Sequence, residues 1–170
     1  MRRPLTNSGW GFASNCFGCE PSNPAGLQLP FFHDEDAAEV TADFELDDRF
    51  SGAPTYVHGG IILSLLDEAM AWAAIAIAGQ WALTKETTTK FHRAVRVGRP
   101  HRLRAWIETA AAEEIAAGAE IFDGKERLCS SARAVFTPLG MAQAVEATGG
   151  TVSAGDMSFV RRSDPEPGPC

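Results

Sequence analysis

Three polar side chains interrupt the longest apolar stretch of the chain, Ile61 to Ala78: Ser64, Asp67 and Glu68. At spacings of i, i+3 and i+4 they share one face of a helix, and the next positions on that face return to Ala71, Trp72 and Ile75. The polar patch is therefore confined to about one turn. Two uses fit it. Asp67 can hydrogen-bond a neighbouring loop while Glu68 reaches water. Alternatively, a carboxylate can face a cleft, where burial raises its affinity for a proton and readies it as a base or nucleophile.

The start of the same helix favours the second use. His58-Gly59-Gly60 stands where Ser, Thr, Asp or Asn would ordinarily cap the helix. First-turn N–H groups without a partner attract an anion or a developing oxyanion, and the missing side chains of Gly59 and Gly60 let a carbonyl come close. A sharp turn needing positive φ also explains two glycines, and both accounts can hold together. His58 reads as a group that orients the turn by hydrogen bonding, with an imidazole base as its other use.

A second signal is charge segregation. Between positions 90 and 104 stand Lys90, Arg93, Arg96, Arg99, Arg102 and Arg104 with His92 and His101, and no acid. Such a segment suits a small polyanion such as a nucleotide phosphate, while edge strands blunted with charge are the competing account. The four cysteines include one close pair, Cys16-Phe17-Gly18-Cys19. A second pair of similar spacing is lacking, so the two thiols are expected in a tight N-terminal turn, with no metal.

These groups need a scaffold. The 170 residues, 45% hydrophobic, suffice for one domain with a core. Against 15 basic residues stand 22 acidic ones, a net charge of −7, which argues against general attraction to nucleic acid or an anionic bilayer. Behind Arg2 and Arg3 no apolar run follows, so a cytoplasmic location is expected. Carboxylates at the middle of Ile61 to Ala78 are costly in lipid, and that stretch reads as a buried helix.

Residues 1–26 are rich in Gly, Pro, Asn and Ser and read as an irregular segment docked on the domain. Strands are expected at Leu27 to Phe32 and Glu39 to Phe44, paired across Asp34-Glu35-Asp36. A loop, Ser51 to Val57, leads to the helix, which should end near Gly79. Four strands follow: Thr84 to Val97, His101 to Thr109, Glu113 to Phe122 and Arg127 to Phe136, the last two a hairpin with Asp123-Gly124 as its turn signal. Alanine favours helix across Ala110 to Ala119, yet the flanking Ile and Phe pattern suits a strand. The domain is thus drawn over 27–137, as an α+β antiparallel sheet covering one helix, and 138–170 as a loosely attached or partly disordered tail.

Taken together, these residues resemble the hotdog-fold acyl-CoA thioesterases of the PaaI-like type. The resemblance rests on Cys16-Phe17-Gly18-Cys19 followed by Asn23-Pro24-Ala25-Gly26-Leu27-Gln28-Leu29, on His58-Gly59-Gly60 with Asp67 nine residues after the histidine, and on Phe91-His92-Arg93-Ala94-Val95 before Gly98. It covers about residues 16–137. It implies a curved antiparallel β-sheet wrapped around one long central helix, and a homodimer, in some cases paired again into a homotetramer, with active sites at the interface. Gly59 or Gly60 would polarise the thioester carbonyl, and Asp67 of the other subunit would activate water or attack directly. Thr84 matches a hydroxyl that places that water, with Thr87 as a competitor.

The rest of the substrate site would come from Ser64 and Glu68, from Trp72 beside the acyl group, and from Arg93 and Arg96 on the coenzyme A phosphates. No cofactor is expected beyond the coenzyme A carried by the substrate. One departure stands out: many members have asparagine six residues before the histidine, where this chain has Gly52. That keeps a non-catalytic acyl-CoA-binding module in view. A hotdog hydroxyacyl dehydratase has less support, because His58 lies at the helix start and not along an acyl chain.

Overall fold

The computed structural model describes residues 1–7 and 13–149. Its centre is α1, Gly59–Ala76, an 18-residue helix with Ile62, Leu65, Leu66, Ala69, Met70, Trp72, Ala73 and Ala74 buried. Length and apolar composition alone would let α1 cross a membrane. Here its buried face lies against a seven-stranded antiparallel sheet.

The strands are β1 (Arg2–Leu5), β2 (Phe31–Asp34), β3 (Glu39–Phe44), β6 (Ala82–Phe91), β7 (His101–Ala110), β8 (Ile115–Asp123) and β9 (Leu128–Pro138), and their order across the sheet is β1-β2-β3-β7-β8-β9-β6. Two short strands, β4 (Ser51–Ala53) and β5 (Tyr56–Val57), pair in the loop that enters α1. This sheet around a single helix is the hotdog architecture.

Period-two patterning explains the fit. Leu103 and Ala105 of β7, Ile115, Ala117, Ala119 and Ile121 of β8, and Ala132, Ala134 and Phe136 of β9 turn inward and are buried. Alanine on the inner face lets the helix approach closely, which is why the alanine run before Phe122 serves as strand. On the outer face the Trp106 ring lies over Gly118, its register partner, and a Cβ there would come within 2.5 Å of the ring.

Several boundaries differ from the expected ones. The first strand begins at Phe31, not Leu27, because Gln28 takes a left-handed φ of 53° and Leu27 and Leu29 bond instead to Phe17 O and Gly18 O. Arg2–Leu5 adds an edge strand to a segment read as irregular. Helix α1 stops three residues before Gly79, whose φ of 67° turns the chain so that Gln80 N reaches Ala74 O. Strand β6 ends at Phe91, since His92 N and Arg93 N both bond Cys129 O and the chain turns away.

The β8–β9 turn is longer than Asp123-Gly124: Asp123 accepts from the amides of Lys125 and Arg127, and Glu126 takes the positive φ of 56°. Beyond β9 a short helix, α2 (Met141–Ala147), buries Ala144, which clusters with Leu139, Met141 and Trp81. The remainder of the expected tail, 150–170, lies outside the described residues.

Candidate active site

At the helix start His58 is the cap. Its backbone is extended (φ −62°, ψ 138°), and its Nδ1 accepts from Gly60 N at 2.9 Å. The amides of Ile61 and Ile62 both bond His58 O. That leaves Gly59 as the first-turn amide without a protein partner among the described residues, so the anion-attracting end of α1 narrows to one donor. Gly59 is also open: a Cβ there would meet only the Phe91 ring, at 3.8 Å. Gly52 is crowded, with a Cβ at that position 3.1 Å from His58 Cα and Cδ2.

The polar patch on α1 divides among three destinations. Ser64 Oγ donates to Gly60 O one turn back, at 3.0 Å. Asp67 Oδ1 accepts from Thr84 Oγ1 on β6 at 2.8 Å, which fixes the carboxylate beside the sheet's last strand and leaves its other oxygen available. Thr87 lies three residues further along β6 and has no such bond to Asp67 among the described residues. Glu68 faces the N-terminal loop, and Cys16 Sγ donates to its Oε1 at 3.2 Å.

That loop is shaped for the contact. A Cβ on Gly18 would stand 2.7 Å from the Glu68 side chain and would push it from its present place. Gly18 N donates to Cys16 Sγ at 3.3 Å, and the buried Asn7 amide donates to Cys19 Sγ at 3.2 Å. Removal from water, helped by the charge of Cys16, pushes the Glu68 carboxyl up to about 8. Hydrogen bonding to Cys19 holds the Cys16 thiol below the usual range, and the same bond holds Cys19 above it.

The basic segment also divides. Arg102 pairs with Asp43 and Glu126, and Arg104 with Glu39 and Glu120, so these two lace the sheet surface. Arg93, Arg96 and Arg99 instead line a cleft of about 620 Å³ with Tyr56, His101 and Lys125. None of the three arginines, nor Lys125, makes an ion pair among the described residues. Arg96 lies over the Tyr56 ring, 5.3 Å from its centroid. Val57 N bonds Val95 O and Val97 N bonds Thr55 O, which ties this loop to the segment running into the helix start. Trp72 is elsewhere: it is buried in the core, its ring 6.5 Å from that of Phe31.

Residues 55–130 match the model of the thioesterase superfamily. The matched segment is 76 of the 170 residues. It contains the helix start, Asp67, Thr84 and the whole basic segment. No curated protein matches the chain.

Among solved structures, a thioesterase superfamily protein superposes with a TM-score of 0.68 at 22% identity, over 76% of this chain and 64% of its own; the chain thus spans under two thirds of that relative. A Streptococcus mutans protein bound to acetyl CoA gives 0.58 at 16% identity, over 61% of this chain and 82% of its own. The Escherichia coli PaaI protein of the phenylacetic acid degradation operon gives 0.56 at 19%, over 61% and 74%. At these identities the likeness is one of fold.

The sequence reading missed the partnership of Glu68 with the cysteine loop. Its signal was present in Gly18, a glycine between two cysteines, but nothing in spacing alone says which helix residue that glycine must clear.

Proposed function

We propose that the protein hydrolyses acyl-CoA thioesters in a site shared by two chains. The observation that carries this reading is the placement of Gly59 and Asp67 on one helix. Eight residues at 1.5 Å each separate them by about 12 Å along the axis, too far for one thioester to touch both in one chain. A second copy brings its own Asp67 to the carbonyl held at the Gly59 amide.

The β6 edge supports such pairing. It is ten residues long, exposed along nearly its whole length, and carries Leu83 and Phe91 in the open. Unpaired edges of this kind are ordinarily covered. Two such dimers could pair again into a tetramer.

In this reading the Gly59 N–H stabilises the oxyanion, a contribution of about 3 kcal/mol for one donor. Asp67 either takes a proton from water that attacks the carbonyl carbon, or attacks that carbon itself to give an acyl intermediate that water then opens. The carbon–sulfur bond breaks, and the coenzyme A thiolate leaves and takes up a proton. Thr84 holds Asp67 in place. The cleft of Arg93, Arg96, Arg99 and Lys125 receives the coenzyme A phosphates. Two neighbouring free thiols, Cys16 and Cys19, accord with a cytoplasmic enzyme.

The test is a colorimetric panel of acyl-CoA substrates on the protein and on Asp67→Asn. Thiol release by the protein, lost by at least about a hundredfold in the variant with an unchanged circular dichroism spectrum, is expected. Equal turnover in both overturns the mechanism. Coenzyme A binding with no thiol release from any substrate would assign a binding module instead.

A further inference from the structure

We infer that Cys16, Cys19 and Glu68 form a binding site for a thiophilic divalent cation, of which zinc is the chemical type. The two sulfurs and one Glu68 carboxylate oxygen lie within 4.8 Å of one another. A tetrahedral zinc ion with sulfur at about 2.3 Å and oxygen at about 2.0 Å spaces a sulfur and an oxygen by about 3.5 Å, and Cys16 Sγ already stands 3.2 Å from Glu68 Oε1. Small adjustments of three side chains thus close the set.

The surroundings are those of a ligand site. Gly18 N points at Cys16 Sγ and the buried Asn7 amide at Cys19 Sγ, so each sulfur has an N–H donor of the kind that steadies a thiolate. Two backbone bonds, Leu27 N to Phe17 O and Leu29 N to Gly18 O, strap the loop in place. Glycine at position 18 leaves the space that the Glu68 side chain occupies beside the loop. Three ligand-type side chains converge here, and no Lys or Arg pairs with Glu68 among the described residues.

The donor set selects the ion. Two thiolates and one carboxylate suit zinc over magnesium or calcium, which prefer oxygen alone. Three protein donors leave the fourth tetrahedral position to water. A Cys16–Cys19 disulfide would use the same sulfurs but leave the Glu68 carboxylate with no partner. The cation instead joins the entry loop to the helix at the residue next to Asp67. This inference stands apart from the hydrolytic reading, and neither falls with the other.

The test uses untagged full-length protein expressed with added zinc and purified under a phosphine reductant. Mass-spectrometric metal analysis should find one zinc per chain, and exchange with cobalt should give a thiolate-to-cobalt charge-transfer band. Cys16→Ser and Cys19→Ser should each lose the band, and Glu68→Gln should weaken cobalt binding by more than about tenfold. Cys129→Ser, remote on β9, should keep both metal and band. Metal-free wild-type protein that takes up no cobalt, a Cys16–Cys19 disulfide in its place, or a band that survives Cys16→Ser would each overturn the site. The wild-type stoichiometry decides the matter even if a variant fails to fold.

Discussion

Thr84 is the residue whose loss should separate positioning from chemistry. It donates to Asp67 Oδ1 at 2.8 Å and, in the proposed mechanism, touches no substrate atom. Thr84→Val keeps the β-branched shape and removes the donor. We expect kcat to fall by about tenfold with KM little changed, because a carboxylate freed to rotate is less often aligned; Thr84→Ser should restore much of the rate. A parallel rise in KM would mean that Thr84 binds substrate.

His101 makes a different prediction at the same scale. Buried and stacked 5.5 Å from the Phe44 ring, it bonds Arg99 O through Nδ1 and accepts from Arg96 N at Nε2, which defines a neutral imidazole. Burial holds it below the ordinary histidine value of 6.5. The unfolded chain therefore takes up a proton that the folded chain refuses, and stability declines as pH falls through the histidine range. Denaturant titrations between about pH 7.5 and 5.5 should show that slope, and His101→Asn should flatten it.

At the scale of elements, the first turn of α1 offers a substitution that removes one N–H donor. Gly59 is the first helical residue, a position where proline is well tolerated, and His58 before it is already extended as a residue preceding proline prefers. Gly59→Pro should leave the melting temperature within a few degrees and lower kcat by about 10²- to 10³-fold, because the proposed oxyanion donor is gone. Thermal melts and acyl-CoA kinetics on one preparation check both halves.

Elements also show what could be read in advance. The helix, the period-two strands and the β8–β9 hairpin were legible because their patterns are local. The Pro4-containing strand Arg2–Leu5 was not, since it has no alternation and exists only by pairing with β2. Leu27 and Leu29 look like strand and are buried, but Gln28 turns left-handed and sends their amides to the cysteine loop. For the site, the spacing of Gly59 and Asp67 was legible. The expected turn-orienting hydrogen bond of His58 is present at Gly60 N, although which amide it takes was not legible in the residue types. Nor was the burial of Trp72, whose place on the polar face of α1 masked its packing on Phe31.

For the whole molecule, a site split between two chains predicts complementation. Asp67→Asn and Gly59→Pro chains, each inactive alone, should regain activity when unfolded and refolded together. At equal amounts, random pairing makes half the dimers mixed, each with one intact site of two, so about a quarter of wild-type activity should return. Light scattering should report at least a dimer for every variant. A site contained in one chain would give no recovery.

The close approach of Gly52 to His58 bears on what substitutions this chain can accept. With only 3.1 Å between a Cβ at 52 and the histidine, any larger residue there competes with the imidazole for the same volume. Asparagine at 52 would require the His58 backbone and ring to give by a few tenths of an ångström, which bears directly on the hydrogen bond by which that ring holds Gly60 N.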